Sequence, residues 1–144
     1  MGCIDHLQLR VFKISTTDGS VLLADNSYML LRGNKLAIRN GYFDRLHLVG
    51  RNGTVCLVTH ATPKFANLLE QIKFFFNQPL KLELTCKSVD SESNLTFVKS
   101  LFEQAFSVKR AWDTWEGSEE TKTKIMNAQT LDEIFSIWSE WLPD

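Results

Sequence analysis

The segment Asp44–His60, DRLHLVGRNGTVCLVTH, holds two apolar, alternating runs on either side of Asn52-Gly53. Asn and Gly best accept the positive φ of a tight type I′ turn, so the segment predicts a β-hairpin. With a two-residue loop, Arg51 faces Thr54, and counting outward pairs Val49 with Cys56, Leu48 with Leu57, His47 with Val58 and Arg45 with His60. Alternation then puts Leu46, Leu48, Val55 and Leu57 on a core face. Arg45, His47, Val49, Cys56, Val58 and His60 fall on the opposite face, which is apolar near the turn and polar at its open end.

Working back from the hairpin, His6 to Ser15 alternates as a first strand with Leu7, Leu9 and Val11 on one side. Val21–Ala24, Tyr28–Leu31 and Leu36–Ile38 read as further short strands, divided by Asp25-Asn26, Gly33-Asn34 and Asn40-Gly41. Turns this closely spaced leave no room for a parallel crossover before residue 60, so the expectation is an antiparallel meander.

Downstream the period changes. Thr62 and Pro63 suit the N-cap and first position of a helix, and Phe65, Leu68, Leu69, Ile72, Phe75 and Phe76 follow helical spacing up to Asn77 and Pro79. That helix is expected to cover the sheet. Leu80, Leu82, Leu84 and Cys86 alternate with Lys81, Glu83, Thr85 and Lys87, giving a strand wet on one face and a sheet covered on one side. Leu95, Val98, Leu101, Phe102 and Ala105 make the stripe of a long helix. A short polar helix beginning at Glu119-Glu120 follows, and then a final helix opened by the capping-box pattern Thr130-Leu-Asp-Glu133. The fold class is α+β: an antiparallel β-meander sheet packed on helices, with a helix-rich C-terminal third. With no repeat or dividing linker, residues 1–144 read as a single domain.

Composition narrows the function classes. Hydrophobic residues are 44% and charged residues 23%, globular proportions, and no apolar run approaches the roughly 18 residues of a membrane span. No secretory signal opens the chain as given, and Met1-Gly2 matches an acylation start only in part because His6 stands where Ser or Thr is required. Cys3, Cys56 and Cys86 form no CxxC pair and leave an odd thiol, which suits a reducing cytoplasm and makes the Asn52 and Asn94 sequons coincidental. The net charge of −1 hides an asymmetry: residues 1–89 carry eleven Lys/Arg against six Asp/Glu, residues 90–144 five against eleven. Such an imbalance points to a partner-facing surface.

All four tryptophans lie in the acidic part, as Trp112-x-x-Trp115 and Trp138-x-x-Trp141. In the final helix Leu131, Ile134, Phe135, Trp138, Trp141 and Leu142 collect on one side, opposite Asp132, Glu133 and Glu140. The expected partner-binding surface is therefore Asp113, Glu116, Glu119, Glu120, Asp132, Glu133 and Glu140, with Trp112 or Trp115 as aromatic anchor for a basic protein. The bland alternative is a solvated acidic face.

Arg45, His47 and His60 offer a second reading, a small metal-independent hydrolase or ribonuclease with two histidines as acid and base. Against it stands the alternative of a polar rim on a half-buried face. Metal binding is not expected, since Cys56 and His60 lie about 13 Å apart along one strand at the usual rise. No phosphate loop, nucleophile elbow or basic DNA-reading helix is present in the sequence, so no cofactor and no direct nucleic-acid contact are expected.

Together the antiparallel meander, the hairpin Leu48-Val-Gly-Arg-Asn-Gly-Thr-Val55 and the phrase Asn127-Ala-Gln-Thr-Leu-Asp-Glu-Ile134 make the chain resemble immunity proteins of bacterial polymorphic toxin systems, of the contact-dependent inhibition or secreted-effector type. The resemblance implies a non-enzymatic cytoplasmic protein that binds a cognate toxin domain and blocks its active site or an adjacent surface. Many such toxins are nucleases or other proteins with basic substrate sites, which suits an acidic surface. A viral or host accessory binding module has the same physical description, and an exposed sheet edge would also support a homodimer.

Overall fold

The computed structural model describes residues 7–17, 19–89, 94–108 and 118–139. The hairpin forms, but not with the expected loop. Its strands are Leu46–Gly50 and Val55–Pro63, and they pair His47 with Leu57, Leu48 with Cys56 and Val49 with Val55. The Gly50 amide donates to the Thr54 carbonyl at 2.8 Å, and the Gly53 amide donates to the Gly50 carbonyl at 3.0 Å. Gly53 has φ 88° whereas Asn52 keeps a negative φ, so the loop is a three-residue type I turn closed by a left-handed glycine, not a type I′ turn. The one-residue difference corrects the expected faces, because strand side chains have period two. Leu46, Leu48, Cys56 and Val58 share one buried face, and Val49 and Val55 belong to the other.

Among the described residues the strands are β1 Val11–Ser15, β2 Val21–Ala24, β3 Arg32–Gly33, β4 Leu46–Gly50, β5 Val55–Pro63 and β6 Leu80–Ser88. They form one antiparallel sheet in the order β2-β1-β4-β5-β6-β3. The first strand is shorter than the expected His6–Ser15. The sheet is also less of a meander than expected, because two of the expected strands are helices: α1 Ser27–Leu31 and α2 Lys35–Arg39. Each starts at an asparagine whose side chain does the work of a missing backbone partner. Asn26 Oδ1 accepts from the Met29 amide at 2.8 Å, and Asn34 Oδ1 from the Ala37 amide at 2.7 Å. These caps turn runs of three or four apolar residues, too short for periodicity to decide, into helical turns.

The edge strands β2 and β3 are joined through α1, which packs against both β2 and β6, so the sheet curls. Gly33 fits there because a Cβ would lie 2.5 Å from Leu82 Cδ1 and 2.7 Å from Phe43 Cζ. Inside the curl, Val11, Ala24, Leu46, Leu48, Cys56, Val58, Leu82 and Leu84 pack with Leu30 and Phe43.

The sheet's other face is buried too, which corrects the expectation of one covered side. Phe12, Ile14, Val21, Leu23, Val49 and Val55 meet helix α4 Asn94–Val108 through Val98, Leu101, Phe102, Ala105 and Phe106. Helices α5 Ser118–Asn127 and α6 Leu131–Ser139 complete this layer with Ile125, Ile134 and Phe135. Phe12 is its centre, with ring centroids 5.2 Å from Phe102, 4.4 Å from Phe135 and 5.9 Å from Trp138. The α+β class holds, with the helix-rich C-terminal part forming this second layer.

Helix α3 Leu68–Phe75 starts later than Thr62-Pro63, because β5 continues as strand to Pro63 opposite Leu82. Its N-cap is Asn67, accepting from the Glu70 amide at 2.9 Å, and Asn77 with φ 64° turns the chain toward β6. Contrary to expectation it does not cover the sheet: none of its residues is buried.

Candidate functional site

The expected acidic surface divides into two sets. Trp112, Asp113, Trp115, Glu116 and Glu140 lie outside the described residues. Glu119 and Glu120 occupy the first turn of α5, where negative charge complements the helix dipole, and they meet Lys122 and Lys124 at 3.4 Å each. Asp132 and Glu133 occupy the first turn of α6. Thr130 Oγ1 accepts from the Glu133 amide at 3.2 Å, and Glu133 Oε2 accepts from the Gln129 amide at 3.1 Å, one residue before the donor of a standard capping box. Asp132 lies 3.9 Å from Arg51 in the hairpin loop. These exposed pairs are each worth about 0–1 kcal/mol, so every described acid has a local task that leaves its charge facing water.

The hydrolase constellation is spread out. His47 is half-buried beneath α4, its ring 5.9 Å from that of Phe97, and its Nδ1 lies 3.2 Å from the Arg45 carbonyl. Burial lowers its pKa below the ordinary value, and the hydrogen bond to Arg45 opposes that shift. Arg45 precedes β4 in a left-handed conformation, φ 56°. A bulge between Val58 and His60 sets His60 opposite Thr85, exposed and two rungs from Leu57, the partner of His47. No third acid, base or electrophile joins them in the described contacts. Among the described residues no three His, Cys, Asp or Glu side chains gather as a metal would require.

Two other features have stronger geometry. The first is α3. Leu68 is 68% exposed, Phe75 67% and Phe76 69%, with Leu69 and Ile72 also exposed beside them. The inward contacts of the segment come from Phe74, which packs against the curl's interior and stands 5.5 Å from Phe65. The helix is held at its C-terminal end by Asn77 Oδ1, which accepts from the Leu36 amide at 3.0 Å, and by Lys35 Nζ, 4.7 Å above the Phe75 ring. Its outward face is thus apolar, anchored at one end, and covered by no other apolar side chain in the contacts of the described residues. At its N-terminal end a groove of about 750 Å³ opens between Phe65, Glu70, α1 and β6. Periodicity located the stripe, and only the topology shows that it faces outward.

The second is a cavity of about 790 Å³ at the seam of the curled sheet, between β2 and β3. Val21–Ala24, Met29, Ala37, Pro79 and Trp138 give it apolar walls, while Lys13, Arg32, Asn34 and Tyr42 supply polar groups. Lys13 is only 4% exposed. Its Nζ donates to the Met29 carbonyl at 3.1 Å and stands 5.7 Å from the Tyr42 ring centre. Burial, aided by the Arg32 charge, lowers its pKa to about 8. The signal in the sequence was a lone lysine between Phe12 and Ile14 in a strand otherwise buried on both faces.

No helix among the described residues is long and apolar enough to cross a membrane. Comparison of the chain with protein-family profiles, with curated proteins and with solved structures found no match.

Proposed function

We infer that this chain is a protein-binding inhibitor of the immunity type, which acts in the cytoplasm by covering the active site, or a surface beside it, of a toxin domain. The observation that carries this reading is the exposed apolar face of α3. An apolar patch of this kind on a folded protein marks an interaction surface more often than an accident of folding. Each large aliphatic or aromatic side chain taken out of water contributes about 1.5–3 kcal/mol, so a few of these anchors dominate a tight interface. Anchoring through Asn77 and Lys35 means that little order is lost on binding. The acids of α5 and α6 then have a secondary part: as exposed charge they accelerate encounter with a basic partner.

The test is capture and rescue. The tagged chain is used to isolate its partner from the native cells, and that partner is expressed alone and together with the chain. Arrest of growth by the partner, relieved by the chain but not by its Leu69→Glu/Phe75→Glu variant, is the expected result. A partner that is harmless alone overturns the inhibitor reading, and full rescue by the variant overturns the α3 surface. Reversal of Glu119 and Glu120 is expected to slow association and flatten its salt dependence while leaving dissociation nearly unchanged.

A further inference from the structure

The seam cavity places a buried ammonium where no carboxylate of the described residues answers it. Among the described residues neither Lys13 nor Arg32 makes an ion pair, and one carbonyl, that of Met29, accepts from Lys13. An ammonium has three protons to donate. A charge withdrawn from water in this way is unfavourable unless it is paired, and a second cation beside it adds to the penalty. An arrangement that opposes stability and yet points into a cavity is the pattern of a binding site.

We propose that this cavity binds an amphiphilic small molecule, its anionic head, carboxylate or phosphate, held between Lys13 and Arg32 and its apolar body laid along Leu22, Met29 and Trp138. The division of the lining carries the choice of ligand. Lys13 stands on β1 beside Leu22 of the edge strand β2, and Arg32 stands on β3 across the seam, so one head group held by both spans it. The walls around them are aliphatic and aromatic, which suits a chain or ring and not a sugar or a nucleotide. The volume lies within the range of about 300–1,000 Å³ usual for small-molecule sites. The site is separate from the α3 face, so it stands or falls independently of the inhibitor reading.

Titration calorimetry of the full chain with decanoate, decyl phosphate and decanol tests the proposal, with intrinsic tryptophan fluorescence as a second readout. Saturable one-to-one binding of an anionic probe, at least tenfold tighter than that of decanol, is expected. The tighter of the two anions identifies the head group. Lys13→Met keeps the bulk of the side chain, relieves the buried charge and is expected to fold, while losing at least tenfold in affinity. Arg32→Gln should lose less, and Leu22→Trp should block the cavity with both cations in place. Equal affinity for decanol and decanoate, unchanged binding by Lys13→Met, or no binding of either anion would each overturn it.

Discussion

Helices α3 and α4 carry the same sequence signature, apolar residues at helical spacing beside polar ones, and meet opposite fates. The α4 stripe lies against the sheet, with Val98, Leu101, Phe102 and Ala105 at 2% exposure or less. The α3 stripe faces outward. The cause is connectivity. Strands β5 and β6 stay paired past the bulge at Val58–His60 out to Pro63 opposite Leu82, so the segment joining them begins and ends beyond the same end of the sheet. A short helix tied at both ends there has no route back over a sheet face. Helix α4 follows β6, the last strand among the described residues, so its far end leads on to α5 and α6 in the same layer and not back into the sheet. Periodicity therefore reports that an apolar stripe exists, whereas the pairing of the flanking strands decides what covers it.

The contrast breaks most visibly at Phe102. Phe102→Ala removes a fully buried ring that packs on Phe12 and is expected to destabilise the fold by about 3–5 kcal/mol in urea unfolding. A loss below about 1 kcal/mol would mean that α4 is no better packed than α3.

A second test puts the question of burial to the inside of the curl. Lys13 is protonated in the folded chain only below about pH 8, against an ordinary value of 10.5. The unfolded chain therefore binds more protons between those values, and stability rises as pH increases from about 8 toward 10.5. The gain is on the order of 3 kcal/mol at most. Lys13→Met should remove this rise in chemical unfolding followed across that range; a variant with the same slope as the parent chain would show Lys13 to be solvated.

His47 reports on α4 more gently. Its folded pKa lies below 6.5, so the neutral form suits the fold, and its contribution is complete above pH 6.5 and lost as pH falls through that value toward the folded pKa. Phe97→Ala uncovers the ring and should move the His47 titration, followed by NMR, back up toward 6.5. No movement would mean that α4 does not shield it.

The smallest effect belongs to α3. Leu68→Ser with Leu69→Ser should change stability by only about 0.5 kcal/mol, because both side chains keep more than half of their surface in water, and should abolish partner capture. A loss comparable with that of Phe102→Ala would erase the difference between the two helices.

Much of the architecture was legible in the residues. The Asn52-Gly53 hairpin, the alternation of β6, the α4 stripe and the Thr130 start of α6 all follow from local chemistry. What escaped was the second role of asparagine. Asn26, Asn34 and Asn67 each lie three residues before the amide they cap, yet the sequence pattern puts Asn26 and Asn34 in turns and Asn67 inside a helix. The same side chain suits either purpose, so pattern alone makes α1 and α2 strands and starts α3 too early. The hairpin slip has a related origin: Asn-Gly fits a two-residue loop, and Gly alone fits the three-residue loop that packing selects. Of the sites, the two histidines and the acids were visible as residue types, and the acids of α5 and α6 fall where helix dipoles favour them. Lys13 and Arg32 were not joined, because nineteen positions separate them and only the curl brings β1 and β3 to one cavity.

The curl has one more consequence, for behaviour in a crowded solution. The sheet ends in its two shortest strands, four residues in β2 and two in β3, with α1 bridging the gap between them. Beyond the two rungs of β3, β6 runs on from Leu82 to Ser88 with no strand on its outer side among the described residues, so part of the sheet edge is left open to a neighbour's strand. With Lys81, Glu83 and Lys87 exposed along that strand, the protein is guarded by charge more than by pairing against association that any extended chain would satisfy. It stays open to association that requires a matching surface.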